Sequence, residues 1–379
     1  MKVMTVVGTR PEIIRLACVI KKLDKHCNHL LVHTGQNYDY NLNKVFFEDL
    51  DLRDPDHVLE VKSATLHGQL ANIIEQTGNV MAQEKPDAVL VLGDTNSALC
   101  AINAKRMKIP FFHMEAGDRS FDENVPEEVN RRIVDHTADL NIAYTEHSRR
   151  NLLREGIHPQ RIFVSGSPIR EVYDSMREKF KTSKILKTLD LQPKRFIAAS
   201  IHREENVDKK GGLEQMVLAF NELIKRFDMP VVVSTHPRTR NRLEEQNLIE
   251  LSDERIVWHE PFGLIDYITL QTNSFCVVSD SGTIHEDSSI LDFPAIAIRK
   301  STEKAESIDA GHCIITGLTT DSVVRAVEIV TSDPIDLSVS PIPDAYSPQN
   351  VSGKIVRIIL GMAKLIDEKV WGPAELKFT

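Results

Sequence analysis

The sequence predicts an α/β protein of two doubly wound domains, each built on a parallel sheet that helices cover on both faces. A length of 379 residues suggests two domains, because one hydrophobic core usually organises about 100 to 200 residues. Short β-branched runs alternate with amphipathic helical patterns, which is typical of a parallel sheet. A second such series starts after residue 168. We therefore expect Rossmann-like domains at 1–168 and 169–349, and a helix within 350–379 that packs back on the first domain.

The first domain is expected to open with a strand at 3–7 and a helix at 11–23. Ile13, Leu16 and Ile20 fall on one face of that helix, as a core-facing stripe requires. Further strands are expected at 30–33, 88–92 and 110–113, and further helices at 66–81 and 97–107.

The second domain is expected to contain strands at 196–200, 230–234, 275–279 and 295–298. Its helix at 212–227 carries an apolar stripe, and an amphipathic helix at 351–366 follows a segment rich in Pro and Ser. Ligands of open α/β sheets bind beyond the carboxyl ends of the strands. The expected site is therefore a cleft in which the strand ends of the two domains face one another.

The composition limits the partners and the compartment. A net charge of −9 argues against a nucleic-acid partner, because phosphate backbones are bound through basic surface. A small anionic substrate needs only a few local cations, such as Arg10, Arg15, Arg131 and Lys304. Five scattered cysteines without a CxxC pair indicate a reducing compartment. No signal peptide or apolar run of about 18 residues is apparent, so we expect a cytoplasmic protein with no membrane partner.

Two turns that join a strand to a helix could bind an anion. The turn at 8–12 places Pro11 at the first helical position, although an ordinary strand-to-helix turn explains it equally well. The turn at 280–283 reads Asp-Ser-Gly-Thr and could form a phosphate-sized nest, with Glu286 and Asp287 one turn later to accept ribose hydroxyls. Neither GxGxxG nor a P-loop is present.

Carboxylates follow two of the expected strands and begin one helix. Asp94 comes after the strand at 88–92, Glu115 after the strand at 110–113, and Glu127 at a helix start. A single carboxylate in such a place usually caps a helix or faces solvent. Three of them near one cleft indicate acid–base chemistry instead.

Histidines also follow strands, and none of them suggests a metal. His202 and His236 lie at strand ends of the second domain, where a general acid or base could act. His113 and Glu115 match the H-x-E of zinc deaminases, but no PCxxC follows. No other metal-ligand spacing occurs, so we expect neither a metal nor a cofactor.

Eight motifs occur in order along the chain: GTRPE with Arg15, HTGQ, GDTNS, HMEAG, PEEVNRR, HREEN, STHP and DSGT. Together they resemble the non-hydrolysing UDP-N-acetylglucosamine 2-epimerase family over almost the whole chain. The first half is most similar to its capsule and O-antigen branch, which handles UDP-N-acetyl-L-fucosamine or UDP-diacetamido-uronic acid precursors. The resemblance implies a GT-B-like pair of Rossmann-like domains, a homodimer and a UDP-sugar substrate.

The resemblance also implies a reaction at C2 of the sugar. A base removes the C2 proton, UDP leaves to give a 2-acetamidoglycal, and UDP adds back after protonation of the opposite face. By resemblance the catalytic residues are Asp94, Glu115, Glu127 and His202. Which carboxylate acts as the base and which as the acid is left open. The positions that match substrate-binding or UDP-binding residues are Arg10, Arg15, Arg131, His236, Phe262, Ser281, Gly282, Thr283, Glu286, Asp287 and Lys304.

Several positions depart from the family pattern. Lys304 stands where an arginine is common, and a lysine cannot form a bidentate clamp on a phosphate. Asp287 replaces a usual Glu, and Thr283 and Arg15 replace a frequent Gly and Lys. Asn37 stands where the family's allosteric site has a histidine, so activation by substrate is not expected.

Three alternatives remain at this point. A hydrolysing 2-epimerase would release free N-acetylmannosamine and UDP. A glycosyltransferase of the same two-domain shape would need an acceptor groove, and it would have little use for three acids around C2. A non-catalytic sensor of sugar nucleotides would bind UDP without exchange at C2.

Overall fold

The computed structural model describes residues 1–36, 40–208 and 211–372, and the chain forms two compact units. Unit 1 comprises Met1–Ser175 and Asp344–Thr379, and unit 2 comprises Met176–Pro343. The sequence analysis placed these divisions at 168 and 349 instead. The first one falls inside an uninterrupted helix, Ile169–Phe180, so no Pro or Gly marks it in the sequence. Asn37 and the last part of the expected segment 350–379 lie outside the described residues.

Unit 1 contains a seven-stranded parallel sheet. Its strands are β1 (Lys2–Val7), β2 (Asn28–His33), β3 (His57–Val58), β4 (Ala88–Leu92), β5 (Phe111–Met114), β6 (Leu140–Ala143) and β7 (Ile162–Val164), in the order β3-β2-β1-β4-β5-β6-β7. The helices are α1 (Arg10–His26), α2 (Tyr40–Asp49), α3 (Leu66–Glu84), α4 (Ala101–Arg106), α5 (Glu127–Thr137), α6 (Glu146–Arg154) and α7 (Ile169–Phe180), with 3₁₀ turns at Asn96–Cys100 and Pro159–Arg161. Every residue of β4 is buried, as expected for a strand covered on both faces.

Unit 2 contains a six-stranded parallel sheet. Its strands are β8 (Ile197–Ile201), β9 (Val231–Thr235), β10 (Ile256–His259), β11 (Cys276–Ser279), β12 (Ala295–Ala297) and β13 (Ile314–Ile315), in the order β10-β9-β8-β11-β12-β13. The helices are α8 (Ile185–Thr188), α9 (Glu204–Val207), α10 (Gly212–Phe227), α11 (Pro237–Glu245), α12 (Leu264–Asn273), α13 (Ile284–Leu291), α14 (Ala305–Asp309) and α15 (Thr320–Ser332).

The final helix, α16 (Val351–Trp371), belongs to unit 1 and packs against α1. It follows a 3₁₀ turn at Asp344–Tyr346, whose Ala345 carbonyl accepts a hydrogen bond from the Ser167 N–H. The sequence prediction of two doubly wound α/β domains is confirmed.

Each sheet has one point at which the strand order reverses. It lies between β1 and β4 in unit 1, and between β8 and β11 in unit 2. Loops that leave two such strands diverge to opposite faces of the sheet and open a crevice at their carboxyl ends. The turn at 8–12 and the loop at 93–96 follow β1 and β4, while residues 202–203 and 280–283 follow β8 and β11. Arg10, Asp94, His202 and the turn at 281–283 therefore lie at the two switch points.

The described ranges contain neither a candidate membrane span nor a candidate metal site. None of the described helices is both long and apolar enough to cross a membrane. Likewise, no three His, Cys, Asp or Glu side chains in that part of the chain are grouped so that they could hold a metal ion.

Candidate active site

The turn after β1 is organised around the buried carboxylate of Glu12. Its Oε2 accepts hydrogen bonds from the Gly8 N–H at 2.8 Å and the Thr9 N–H at 2.6 Å, and its Oε1 accepts one from Thr95 Oγ1 at 2.8 Å. Thr9 and Glu12 also form the capping box that starts α1. Burial raises the pKa of Glu12 to about 7, although the hydrogen bonds from Thr95, Gly8 and Thr9 oppose the rise. Glu12 thus joins the first turn to the loop that carries Asp94.

A second set of hydrogen bonds joins the HTGQ segment to the same loop. Thr34 Oγ1 and Ser97 Oγ lie 2.7 Å apart, and Gln36 Oε1 accepts hydrogen bonds from the Ser97 N–H and Oγ at 3.2 and 3.0 Å. Gly8 packs directly on this pair, since a Cβ at that position would lie 2.1 Å from Ser97 Oγ. The close approach explains why the turn begins with glycine.

Asp94 follows β4 and forms an ion pair with Arg131 of α5. The Arg131 Nε donates to Asp94 Oδ2 at 2.7 Å, and its Nη1 donates to the buried Glu128 at 2.9 Å. Burial raises the pKa of Asp94, Arg131 opposes that rise, and the negative charges of Glu115 and Glu127 add to it. Glu115 and Glu127 are therefore close enough to Asp94 within unit 1 for their charges to raise its pKa.

Glu115 sits in a strained backbone conformation at the end of β5. Its φ is +63°, in the left-handed region that glycine or asparagine normally occupies. Its carboxylate lies 3.9 Å from Nη1 of the buried Arg15, whose guanidinium lies over the Tyr144 ring at 5.8 Å. Backbone strain of this kind is concentrated at functional sites, where it aims a side chain that an ordinary conformation would turn elsewhere.

The centre of the second site is Asp280, a fully buried residue after β11. It accepts hydrogen bonds from the backbone N–H groups of His202 and Arg203 and from Asn206 Nδ2, at 2.9 to 3.2 Å. Its Oδ1 lies 3.0 Å from Nδ1 of His202, whose side chain is about half exposed. Burial raises the pKa of Asp280, but His202 and the backbone N–H groups outweigh it, so the net pKa is lowered. Asp280 thus orients an exposed imidazole.

Gly282 lies against a compact charged cluster. A Cβ there would meet Glu303 Oε1 at 2.8 Å, Arg203 Nη2 at 3.3 Å and Arg299 Nη1 at 3.4 Å. Arg299 is buried, and its Nη2 contacts Glu303 Oε2 at 3.0 Å. Two guanidinium groups beside a turn that precedes a helix suit an anion, although Glu303 balances part of their charge.

The side chains of the 280–283 turn hold one another in place. Ser281 Oγ and Thr283 Oγ1 lie 3.1 Å apart, and Thr283 Oγ1 donates to the buried Asp287 at 2.8 Å. Glu286 and Lys304 are buried as well. The structure therefore brings Ser281, Gly282, Thr283 and Asp287 together with His202 and Asp280 at one switch point.

The remaining candidates lie on neighbouring elements. Arg10 lies over the Phe46 ring at 5.1 Å. Phe262 stacks on His259 with ring centroids 4.1 Å apart, and His236 caps α11 by accepting the Arg238 N–H at 3.3 Å. Phe262 also packs against the unit 2 core cluster that contains Leu270 and Ile284.

Sequence reasoning did not select several residues that shape these sites. Glu12, Asp280 and Arg203 belonged to recognised motifs but were not chosen as site residues, and Arg299 and Glu303 were not considered in that role. Arg299 comes two residues after β12 ends, so the rule that selected Asp94 and His202 could have found it.

The fold and the two sites place the chain in the GT-B-like class of α/β enzymes with two parallel sheets. A family model described as UDP-N-acetylglucosamine 2-epimerase matches residues 21–360. The chain belongs to this family, whose members are isomerases.

Three relatives show the extent of the similarity. The structure of UDP-N-acetylglucosamine 2-epimerase from Rickettsia bellii is 46% identical, covers 98% of this chain and 100% of its own, and superposes with a TM-score of 0.91. The Methanocaldococcus jannaschii UDP-GlcNAc 2-epimerase in complex with UDP-GlcNAc and UDP is 35% identical, covers 95% and 100%, and has a TM-score of 0.88. The UDP-2,3-diacetamido-2,3-dideoxy-D-glucuronate 2-epimerase of Pseudomonas aeruginosa is 34% identical over 86% of this chain and 91% of its own.

Proposed function

We propose that the protein inverts C2 of a UDP-N-acetylhexosamine by eliminating UDP and adding it back. The observation that carries the proposal is a pair of carboxylates held by arginines in unit 1: Asp94 pairs with Arg131 at 2.7 Å, and Glu115 lies 3.9 Å from Arg15. Glu127 begins the helix that carries Arg131. Inversion of a carbon centre needs a base on one face and an acid on the other, and this cluster supplies more than one carboxylate. A relative of similar fold binds UDP-GlcNAc and UDP, which supports this substrate class.

The proton transfer is assigned to the acids of unit 1. One carboxylate takes the C2 proton, and the electrons of the C2–H bond form the C1=C2 double bond of the glycal. The C1–O bond breaks, and its electron pair stays on the β-phosphate oxygen of the departing UDP. In the reverse half-reaction UDP adds to C1 and a second carboxylate protonates C2 from the other face. Asp94, with its raised pKa, and Glu115, in its strained backbone, are the residues we assign to these steps.

The departing diphosphate is assigned to the site around Asp280 in unit 2. The half-exposed His202 contacts the buried Asp280 carboxylate, which orients its ring. Arg203 and Arg299 flank the Gly282 turn. Positive groups placed where negative charge develops lower the barrier to departure of the leaving group. Arg10, Arg15 and the turn at 281–283 are assigned to UDP, with Glu286 and Asp287 for the ribose. The proposal therefore requires both units to act on one substrate molecule.

The identity of the sugar in the UDP-N-acetylhexosamine substrate is a more specific part of the proposal. UDP-GlcNAc is the first candidate, and a 6-deoxy or uronic relative is the second because of the similarity to the Pseudomonas aeruginosa enzyme. A role in bacterial surface polysaccharide synthesis, a homodimer and a cytoplasmic location stay predictions.

The decisive experiment incubates the protein with a panel of UDP-HexNAc sugars in deuterated water and follows C2 by NMR. We expect deuterium at C2 together with the 2-epimer for at least one sugar, and loss of both by 100-fold or more in Asp94→Asn or Glu115→Gln. Glu123→Gln is the matched control, because Glu123 is exposed and pairs with the exposed Arg132.

Chromatography of the same reactions distinguishes the alternatives. Accumulation of free UDP with N-acetylmannosamine would indicate a hydrolysing epimerase. Sugar transfer to an added acceptor without an epimerised product would indicate a glycosyltransferase. Tight UDP binding with no deuterium uptake from any sugar would contradict the proposal.

A further inference from the structure

His113 is a fully buried histidine of β5 that the proposed chemistry does not use. It follows Phe112 and precedes Met114 and Glu115, so it lies two residues before a candidate catalytic acid. Its Nε2 lies 2.8 Å from the carbonyl oxygen of Gly93, and its Nδ1 lies 2.8 Å from Oδ1 of Asp135 on α5. The imidazole therefore spans the space between the Asp94 loop and α5.

These two partners determine the protonation state of the ring. The Gly93 carbonyl can only accept a hydrogen bond, so Nε2 must carry a proton. Asp135 also accepts the Gly117 N–H at 3.2 Å and pairs with Nη2 of the buried Arg119 at 2.7 Å, as an ionised carboxylate does. Because Asp135 is a carboxylate, Nδ1 must donate as well. His113 with both nitrogens protonated is an imidazolium.

The electrostatic surroundings agree with this assignment. Burial lowers the pKa of His113, but the Asp135 carboxylate, the Gly93 carbonyl and the negative charge of Asp94 together raise it above its usual value. The pKa of Asp135 is lowered on balance, although burial raises it, because His113 and Arg119 bind it. Asp135 from α5, Arg119 from the loop after β5 and Asp94 from the loop after β4 are the charged groups described around the ring.

The backbone N–H and the carbonyl of Gly93 both form hydrogen bonds with residues of β5. Its N–H donates to the Met114 carbonyl at 2.9 Å, and its carbonyl accepts from His113. Gly93 has a φ of +73°, so the chain turns sharply at this residue and sends Asp94 toward Arg131. The direction of Asp94 relative to Glu115 thus depends on two hydrogen bonds, one of which comes from a charged donor.

We propose that His113 is a charged positioning residue, whose imidazolium links the Gly93 carbonyl to Asp135 and so fixes the carboxylate of Asp94 beside Glu115. This inference rests on the proposed function only for its kinetic consequence. Hydrogen bonds from a charged donor are about twice as strong as neutral ones, and a misplacement of about 1 Å can cost a reaction on the order of 100-fold.

The protonation state can be measured on the unmodified protein. We expect ¹⁵N-labelled histidine NMR to show protons on both ring nitrogens of His113 at pH 7, where an ordinary histidine is mostly neutral. A neutral His113 ring at pH 7 would overturn the inference. This measurement does not depend on whether any sugar nucleotide turns over.

The kinetic consequence is tested with His113→Gln. We expect kcat for C2 exchange to fall about 10-fold to 100-fold with little change in KM. We also expect the acid limb of the pH profile to move to higher pH, because the loss of a positive neighbour raises the pKa of Asp94. A variant with the kcat and pH profile of the unmodified protein would contradict the positioning role.

His29→Gln is the matched control. His29 is also buried and contacts a carboxylate, Asp24, at 2.6 Å, but it lies near the amino end of β2 and thus at the opposite end of the same sheet. We expect this control to lose stability without a change in kcat or in the pH profile. Equal kinetic losses in both variants would show a merely structural effect and overturn the inference. Absence of exchange in the unmodified protein would instead contradict the proposed function.

Discussion

At Glu12, burial and hydrogen bonding act on the pKa in opposite directions. Burial disfavours its charge, whereas donors from Gly8, Thr9 and Thr95 favour it, and the resulting pKa is about 7. A carboxyl group that titrates near neutral pH next to the Asp94 loop links the stability of unit 1 to pH.

The first prediction concerns the sign of that link. The folded state holds the Glu12 proton more tightly than the unfolded chain, where the pKa is about 4.5. The stability that this proton contributes is complete below about pH 4.5 and is lost as the pH rises through about 7. Relative to Glu12→Gln, which does not titrate, we expect the wild type to lose roughly 3 kcal/mol of unfolding free energy between pH 4.5 and 8. Parallel denaturant midpoints for the two proteins across this range would contradict the prediction.

The second prediction separates the charge of Glu115 from its backbone strain. Glu115→Gln and Glu115→Gly both remove the carboxylate, so we expect both to lose C2 exchange. Only glycine relieves the φ of +63°, so Glu115→Gly should be about 1 kcal/mol more stable to urea than Glu115→Gln. A glycine variant that is the less stable of the two would show that this backbone conformation carries no strain.

At the residue scale the sequence could identify acids that follow strands, because a strand end is visible as a polar residue after an apolar run. Asp94 and Glu115 were found in this way. Arg299 follows β12 in the same way and was overlooked. The sequence could not show that Arg299 and Glu303 contact the Gly282 turn, because this contact joins the end of β12 to the end of β11. Nothing local in either segment indicates that they meet. Their pairing depends on the strand order, which the sequence alone did not give.

At the scale of elements, long apolar runs and periodic helices were predictable. β4 was expected at 88–92 and is observed at Ala88–Leu92, and α10 was expected and observed over the same range. β6 and β7, of four and three residues, were missed, although β5 and β12 are equally short and were expected. Such short strands exist because neighbouring strands complete their hydrogen bonds, and β6 even contains a buried asparagine, Asn141. A short strand with a polar residue inside it therefore carries little local signal.

The third prediction belongs to the turn between β11 and α13. Gly282→Ala places a Cβ within 2.8 Å of Glu303 Oε1, so Glu303 and the two arginines must shift. If this turn binds the diphosphate, we expect the Kd for UDP to rise about tenfold, which corresponds to about 1.4 kcal/mol by calorimetry.

Gly361→Ala in α16 is the matched control for this change. A Cβ at Gly361 meets no atom within 4 Å, and alanine is favoured over glycine inside a helix by roughly 0.5–1 kcal/mol. The control should bind UDP like the wild type and unfold at slightly higher denaturant. Unchanged UDP affinity in Gly282→Ala would remove this turn from the proposed site.

At the scale of the whole molecule, the candidate residues are divided between two units that the chain connects twice. Unit 1 carries Arg10, Arg15 and the three acids, and unit 2 carries His202 and the turn at 281–283. Each unit has its own sheet and its own buried core, so each can open locally without the other. A ligand that contacts residues of both units is the physical link that the proposed reaction requires.

The fourth prediction tests that link by hydrogen exchange. When a ligand is present at about 100 times its Kd, any opening that abolishes binding costs about 2.7 kcal/mol more. The amide exchange rate then falls roughly 100-fold. If Arg10 and Arg15 hold UDP together with Ser281 and Gly282, then UDP must slow the backbone amides of the turn at 8–12 as well as those at 281–283. Slower exchange in unit 2 alone would show that UDP binds without the first turn. Arg10 and Arg15 would then not be UDP-binding residues, and their assignment in the proposed function would be wrong.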